Sequence, residues 1–313
     1  MAAIFVNHKD IDSAKWDNCI AQAANTKIYA LYSYLNIACQ WDAIIYNDYE
    51  AVMPLPYKKR LGLTHLYQPF FCQQLGIFHT TGFDTKYYKI FLSLATKQYS
   101  YGHLQLNHLN KPDFYRNAIS KSYNIKPKTN HILNLANDYD TLYQNYSTKC
   151  KQSIKKGQST QAHITLQKDI LIAVDFYAKH YGHRTPHVLT PDFARLAQLL
   201  QLPHFQTICY IYTNPETTQI EAACIYILYQ NQLYYILGAS IGQAKQDCAT
   251  FYIMDLIAQQ YAGKNYILDF EGSMIPTVAR FNKGFGAAEQ SYCDIRFSSP
   301  FSILGRRMLG KEG

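Results

Sequence analysis

The sequence predicts a mixed α/β protein built from two lobes, each a mixed, mostly antiparallel sheet flanked by helices. Both halves of the 313-residue chain carry helical and strand-like patterns of similar extent. In the second half, three strand-like runs follow one another directly and are succeeded by helix, strand, helix and strand. That order fits neither a doubly wound nucleotide-binding fold nor a β-sandwich. We therefore expect a first lobe over residues 1–139 and a second lobe over residues 140–313.

In the first lobe, "SAKWDNCIAQAA" predicts a helix with Ser13 as its N-cap, since a Ser side chain there can accept a backbone N–H. "WDAIIYN" and "YEAVMPLPY" predict two strands around the turn at Asn47 and Asp48. "FDTKYYKIFLSLATKQY" has apolar residues at helical spacing. "GHLQLNHL" and "NHILNLA" then predict two further strands.

The second lobe is predicted to begin with one long helix over residues 137–158, with acidic residues first, lysines last and Gly157 as its stop. A strand in "AHITLQ" and two helices in "KDILIAVDFYAKHYG" and "TPDFARLAQLLQ" follow. The three consecutive strands are "FQTICYIYT", "QIEAACIYILYQ" and "QLYYILGAS". "ATFYIMDLIAQQYAG" is amphipathic at helical spacing, "YILDF" predicts a buried strand, and "QSYCDIRF" predicts the final strand.

Composition limits the partners and the compartment. The net charge of +8 and the pI near 8.9 favour anionic partners such as phosphate-bearing cofactors, nucleic acid or an anionic membrane face. The eight cysteines are scattered without a Cys-x-x-Cys pair, and several lie in apolar runs, which is typical of reduced, buried thiols. The N-terminus lacks a leader pattern and no run reaches 18 apolar residues, so we expect a cytoplasmic protein without a membrane span.

Several motifs in the second half resemble one known group of proteins. The strand-ending "YILDFEGS" followed by "VARFNKGFGA" resembles the ending of Fem-type, two-lobed members of the GNAT acyltransferase superfamily. "YSTKCKQSIKKGQ" resembles the basic helix of that group, and "LGASIGQAKQDCATFYIMDLIAQQYA" lies where its members have a Gly-Ala/Gly-Ser turn, a polar loop and a helix. The resemblance covers residues 140–297, and it covers the first lobe by architecture only.

This resemblance implies two GNAT-like lobes and transfer of an acyl group from a carrier to an amine. We expect acyl-CoA as co-substrate and a small-molecule or peptide amine as acceptor. An alternative is aminoacyl-tRNA as the donor, as in Fem-type proteins. A second alternative is a non-catalytic protein that binds an anionic ligand on a degenerate GNAT scaffold. Neither a metal ion nor DNA is expected.

The turn that follows the third strand is the candidate donor site. Its two glycines would let the backbone approach a pyrophosphate. The residues are Gly238, Ala239, Ser240, Gly242 and Gln243. The turn lacks the Gly-x-Gly or Gly-x-Ala spacing of typical GNAT members, so a tight turn without a ligand is the alternative.

Two carboxylates are candidate catalytic bases. If the strand alternates through "YILDFEGS", Asp269 and Glu271 share a face, and repulsion between them would raise one pKa towards that of a general base. Glu271 is the preferred base. The structural alternative is that one carboxylate caps the following helix and the other pairs with Arg280 or Lys283.

Position 282 is the main departure from the resembled pattern. Fem-type proteins have Lys there, and many other GNAT enzymes have a Tyr that serves as general acid. In this chain Asn282 could hydrogen-bond a leaving group but cannot donate a proton at neutral pH. Lys283 lies about 100° further round a helix.

Basic residues complete the set of candidates. Lys151 and Lys155 are expected on one helix face, where they could bind phosphate or tRNA, and Arg280 is a further candidate for substrate binding. A solvated helix C-terminus is the alternative for the two lysines. His180, His183 and His187 lack metal-ligand spacing and are better interpreted as a loop, in which one histidine could act as a base.

Overall fold

The computed structural model describes residues 3–60, 62–111, 122–184, 188–272 and 274–298. The strands are β1 Ala3–Val6, β2 Gln40–Tyr46, β3 Ala51–Arg60, β4 Leu63–Leu66, β5 Phe78–His79, β6 Tyr101–Leu106, β7 Ser122–Asn134, β8 Ile164–Leu166, β9 Gln206–Thr213, β10 Ile220–Tyr229, β11 Gln232–Ser240, β12 Ile267–Asp269 and β13 Ala288–Ser298. The helices are α1 Ser13–Gln22, α2 Tyr32–Ala38, α3 Tyr88–Gln98, α4 Tyr139–Gln144, α5 Thr148–Gln158, α6 Ile170–Tyr181, α7 Thr190–Leu199, α8 Gly242–Gln246, α9 Ala249–Tyr261 and α10 Pro276–Gly284.

The chain forms two compact units. Unit 1 takes the described residues up to Lys128 and those from Ser291 onward, and unit 2 is Thr129–Gln290. These dividing points differ from the boundary after residue 139 that we expected from the sequence. The reason is strand pairing: residues 129–134 of β7 group with unit 2, and residues 291–298 of β13 group with unit 1. Local sequence patterns do not show which unit a terminal strand will pair with.

Unit 1 contains a sheet in the order β1-β2-β3-β4-β6-β13, with the short β5 paired to β3. Its neighbours are antiparallel except β4 and β6, which are parallel. One face of this sheet is apolar and packs against α3, which contributes Phe91, Leu92 and Ala95 to the core. The alternation of β6 follows from this, since Gly102, Leu104 and Leu106 are buried while the residues between them are half-exposed.

Unit 2 contains a sheet in the order β7-β12-β11-β10-β9-β8. As in unit 1, a single pair is parallel, here β11 and β12, and the other pairs are antiparallel. The predicted succession of three strands, a helix, a strand, a helix and a strand is confirmed in β9 to β13 with α8, α9 and α10. Aromatic and aliphatic residues of α5, α9 and α10 fill the core beneath this sheet.

The predicted long helix over residues 137–158 is wrong. The chain forms α4 and α5 with a break at residues 145–147, and Ser147 caps α5 by accepting the N–H of Cys150 at 3.2 Å. Gly157 does not stop the helix but lies within it, where a Cβ would come within 2.8 Å of the Cys248 carbonyl and of Tyr252 Cβ. It therefore permits the close approach of α5 to α9. The N-cap of α1 is Asp12, one residue before the expected Ser13.

All eight cysteines are free thiols, as expected for a chain without a disulfide framework. Burial raises the pKa of the Cys150, Cys209 and Cys224 thiols to about 12, so they are protonated at neutral pH. Within the described ranges, no helix is both long enough and apolar enough to cross a bilayer.

Candidate functional site

The strands β11 and β12 pair over three residues and then part. Their parallel register runs from Gln232 opposite Ile267 to Tyr234 opposite Asp269, where β12 ends, while β11 continues to Ser240. Directly after the parting, the pairing of β11 with β10 shifts. Tyr235 lies opposite Tyr226 and Leu237 opposite Ile225, which leaves Ile236 opposite no residue.

The extra residue Ile236 is a β-bulge. A bulge bends its strand and leaves backbone groups outside the ladder. Here the bulge lies two residues beyond Tyr234, the last residue of β11 that pairs with β12. We call the region beyond this last pair, where β11 continues without β12 beside it, the opening between the two strands. A backbone N–H directed into such a region is the kind of preorganised donor that stabilises the oxyanion of an acyl transfer. The residues predicted from the sequence to approach the donor begin two positions later, at Gly238, because a bulge leaves no signal in residue type.

The end of β12 is a strained polar turn. The buried Asp269 carboxylate accepts hydrogen bonds from Asn130 Nδ2 and from the backbone N–H of Glu271, both at 2.9 Å. Glu271 has φ +56° and Gly272 has φ +65°, both in the left-handed region. A non-glycine residue in that region is costly and is found preferentially at functional sites. Ser273 lies outside the described residues.

The expected strand alternation through Glu271 does not occur, because the strand ends at Asp269 and the chain turns left-handed. Asp269 is buried and shapes the turn through the hydrogen bonds that it accepts from Asn130 and from the Glu271 N–H, a role that neither alternative from the sequence included. Glu271 is half-buried at the tip of the same turn. The two carboxylates are therefore placed differently, and a catalytic role for either of them stays a prediction.

Aromatic rings connect the bulge, the turn and α10. The ring of Phe270 lies 6.5 Å from that of Tyr235 on β11 and 6.4 Å from that of Phe285 at the end of α10. Phe281 packs against Phe285 at 5.1 Å and against Phe251 of α9 at 4.7 Å. These contacts hold α10 against the end of β12.

Asn282 lies on α10 between the two packed phenylalanines and is fully buried. Neither its amide oxygen nor its amide nitrogen has a hydrogen-bond partner in the described part of the chain. Its neighbours on the helix, Arg280 and Lys283, are exposed, and Lys283 Nζ lies 2.5 Å from Glu289 Oε1. Lys283 therefore points away from Asn282, as its helical position predicts.

Two residues of β7 contact the end of β12 and were not predicted from the sequence. Asn130 supports Asp269, and His131 accepts the N–H of Phe270 through its backbone carbonyl at 3.0 Å. The His131 ring is 1% exposed, and neither ring nitrogen has a partner among the described residues. Burial lowers the pKa of His131, with Lys283 adding to the effect and Glu289 opposing it. The sequence offers little signal for either residue, because β7, "SYNIKPKTNHILN", is rich in polar residues along its length.

The predicted donor turn is occupied by the protein's own groups. Gly242 has φ +48°, and a Cβ there would meet the Glu221 carboxylate at 2.7 Å. Glu221 Oε2 accepts the backbone N–H of Ala244 at 3.0 Å, and Oε1 accepts from Asn214 Nδ2 at 2.8 Å. An internal carboxylate thus takes the place where a phosphate would meet these backbone donors.

The remaining residues of this turn also have internal partners. A Cβ at Gly238 would overlap the Tyr235 hydroxyl. The carbonyl of Ser240 accepts the Tyr181 hydroxyl at 2.7 Å, and Gln243 Nε2 donates to Asp247 at 2.7 Å. Ala239 is buried.

The basic residues of α5 lie at the surface. Lys151 Nζ donates to the carbonyl of Gln144 at 3.0 Å and lies 5.3 Å from the centre of the Tyr143 ring, while Lys155 is exposed. A role for them, or for Arg280, in binding substrate stays a prediction. Across the described ranges, no three His, Cys, Asp or Glu side chains group as metal ligands would. His187 lies outside those ranges.

No protein-family model matches the sequence, and no curated protein matches it. Solved structures do resemble the fold. FemX matches with a TM-score of 0.63 and 11% identity, over 94% of this chain and 97% of FemX. The C-terminal domain of a putative lysylphosphatidylglycerol synthetase from Agrobacterium fabrum matches with a TM-score of 0.57 and 8% identity, over 94% of each chain.

A tandem GNAT protein from the clavulanic acid biosynthesis pathway matches with a TM-score of 0.55 and 9% identity, over 95% of this chain and 98% of that protein. The likeness to FemX and to this tandem protein extends over nearly the whole of each chain. The chain therefore has a two-lobed GNAT-type fold of the Fem-like kind, and the expected fold class is confirmed.

The unpartnered amide of Asn282 predicts an unusual gain in stability on truncation. Asn282→Ala removes two buried polar atoms that lack partners and introduces a better helix former, so the free energy of unfolding should rise by about 1 kcal/mol. Asn130→Ala is the matched control, since it removes the donor to buried Asp269 and should lower the same quantity by about 1–3 kcal/mol. Urea denaturation measures the free energy of unfolding of both variants. A loss of stability in Asn282→Ala would contradict the conclusion that the buried Asn282 amide lacks hydrogen-bond partners.

The lowered pKa of His131 predicts a pH dependence. The unfolded chain binds a proton at His131 near the ordinary pKa of 6.5, whereas the folded chain binds it only at lower pH. Stability is therefore lost as pH falls through and below 6.5. In His131→Leu the decline in the free energy of unfolding between pH 7 and pH 5 should be shallower than in the wild type, as measured by denaturation at each pH. Equal slopes would show that His131 takes up its proton equally in both states.

Proposed function

We propose that the protein transfers an acyl or aminoacyl group from an activated carrier to an amine, with the chemistry in unit 2. The observation that carries this proposal is the parting of β11 and β12 at the Ile236 bulge, next to the strained turn that holds Glu271. The likeness of the fold to FemX and to a tandem GNAT protein supports the same class of reaction.

The geometry supports a direct attack of the amine on the donor carbonyl. The carbonyl oxygen lies in the opening between the strands, where the backbone at Ile236 stabilises the developing negative charge. Glu271 takes a proton from the attacking amine. Asp269, fixed by Asn130, holds the turn that presents Glu271 and does not itself react. As the tetrahedral intermediate collapses, the bond from the acyl carbon to the carrier's oxygen or sulfur breaks, and the departing atom takes up the proton that Glu271 removed from the amine.

Replacing Glu271 tests this proposal. Glu271→Gln keeps the size of the side chain but removes the base, so the single-turnover transfer rate should fall by about 10²–10⁴-fold while donor binding is unchanged. Glu216→Gln, an exposed carboxylate on a loop of the same unit, is the matched control and should transfer at the wild-type rate. Wild-type rates in Glu271→Gln would remove Glu271 from the mechanism. No transfer by the wild type with either class of donor would favour the alternative of a non-catalytic binding protein.

The donor is acyl-CoA or aminoacyl-tRNA, and two observations favour aminoacyl-tRNA. Glu221 places a carboxylate against Gly242 and the N–H of Ala244, where an acyl-CoA pyrophosphate would otherwise approach the backbone. Repulsion between that carboxylate and a phosphate disfavours CoA at this turn. The net charge of +8 suits a polyanionic carrier.

We expect acetyl-CoA and longer acyl-CoAs to leave the melting temperature of the wild type unchanged, since a ligand that does not bind the folded state cannot stabilise it. Charged tRNA should bind with steep salt dependence and donate its aminoacyl group to an amine. Thermal denaturation and transfer of radiolabelled amino acid measure the two effects. A saturable rise in melting temperature with acyl-CoA, together with acyl transfer, would reverse this choice of donor.

A further inference from the structure

One face of the unit 1 sheet carries a row of polar side chains. The opposite face packs Leu66, Leu104 and Ile295 into the core. On the polar face, the strand register sets Gln105 opposite Asp294 and His103 opposite Arg296. On the same face, His65 of β4 stacks on Tyr101 of β6, with ring centres 4.7 Å apart and planes at 9°. An outward polar face is ordinary for an antiparallel sheet, so charge and burial must show whether this one is a site.

Asp294 lies at the centre of the face and is only 2% exposed. His103 Nε2 lies 2.7 Å from its Oδ2, Lys128 Nζ lies 3.5 Å from the same atom, and Arg296 Nε lies 3.3 Å from Oδ1. Burial opposes ionisation, but the His103 hydrogen bond and the neighbouring positive charges outweigh it and lower the pKa of Asp294 to about 2. A buried, ionised carboxylate surrounded by three basic groups is not a solvated surface feature.

Lys128 is held from a second side. With the Gln105 amide oriented so that both of its ends are satisfied, Gln105 Oε1 accepts from Lys128 Nζ at 3.0 Å. Gln105 Nε2 then donates to the Tyr292 hydroxyl at 3.2 Å and to the Gln73 carbonyl at 2.9 Å. The position of the ammonium group is therefore fixed by Asp294 and Gln105 together. Fixing a cation in advance lowers the cost of binding an anion.

The cluster has more positive than negative charge. Two basic side chains, Lys128 and Arg296, face the single carboxylate of Asp294, and Lys58 adds a third basic side chain on the same face, 4.2 Å from the centre of the Tyr67 ring. Arg296 is 58% exposed in its side chain and contacts Asp294 through Nε. Its terminal amino groups have no hydrogen-bond partner within the described part of the chain. They form the planar fork that binds phosphate oxygens in pairs.

We propose that Lys128, His103 and Arg296 form a binding site on unit 1 for the phosphate group of a soluble ligand. Asp294 orders the three basic side chains, and the charge in excess of it attracts the dianionic group. A carboxylate ligand, with a single charge, matches this excess less well than a phosphate. The site uses residues of unit 1 only and does not depend on the transfer reaction proposed for unit 2.

Titration calorimetry of the full chain with sodium pyrophosphate, at an ionic strength held constant with NaCl, tests the proposal. The wild type should bind with a saturable heat. Arg296→Gln should weaken binding about tenfold or more, because it removes a charge-assisted, two-point contact. Arg296→Lys keeps the charge and should retain part of the affinity. Lys89→Gln is the matched control, since Lys89 is an exposed lysine of α3, the helix on the apolar face of the same sheet.

The melting temperature of each variant shows that it is folded before its affinity is compared. Absence of heat for the wild type, or equal affinity in Arg296→Gln and the wild type, would overturn the proposal. Acetate competing as well as pyrophosphate at equal ionic strength would overturn the choice of phosphate. Binding to phosphatidylglycerol vesicles without binding to pyrophosphate would identify a membrane surface instead of a soluble ligand and would also overturn it.

Discussion

The pairing of β11 with β12 stops after three residues. The transfer reaction proposed for unit 2 depends on this short pairing, because it leaves the backbone of β11 available beyond Tyr234. Each strand is held firmly on its other side: β11 pairs with β10 along nearly its whole length, and β12 pairs with β7. The opening is therefore built between two anchored strands and does not rely on a flexible loop. The bulge at Ile236 fixes where β11 bends, and the left-handed turn at Glu271 fixes where the chain leaves β12. A longer parallel ladder would close the opening.

The polar groups inside unit 2 are satisfied to different degrees. Asp255 is buried, and burial raises its pKa, but both of its oxygens accept the Tyr139 hydroxyl at 2.9–3.0 Å, and Gln259 donates to it at 2.7 Å. That network stabilises the packing of α4 against α9. Asn282 and His131 are equally buried but lack partners in the described residues. Buried polar groups without partners reduce stability, and a fold retains them most readily at sites where a ligand completes them.

Elements with a local and periodic signal in the sequence are predicted correctly. The order of β9 to β13 follows from short apolar runs, and α9 and α10 follow from helical spacing and a glycine near the helix end. Features that are set by contacts between distant parts of the chain are not predicted by local patterns. Ser147 interrupts a good helical pattern because its side chain caps α5, and Gly157 serves helix packing where its sequence position suggested a stop. The contact of Glu221 with Gly242 joins residues of different elements, so no spacing rule could have found it.

The absence of a protein acid at position 282 bears on the identity of the donor. Asn282 cannot supply a proton, and Lys283 is exposed and paired with Glu289, so α10 offers no acid to a leaving group through either residue. An alkoxide leaving group needs a proton more than a thiolate does, which would by itself favour a thioester. In an aminoacyl-tRNA, however, the ester oxygen lies beside a second ribose hydroxyl, which is both donor and acceptor. That hydroxyl can pass its proton to the leaving oxygen and receive in its place the proton that Glu271 took from the amine, so that no charge is left on the ribose. If the substrate supplies the proton in this way, an ester donor is compatible with Asn at position 282. The carboxylate of Glu221, which accepts the Ala244 N–H where a CoA phosphate would otherwise approach, favours the same donor.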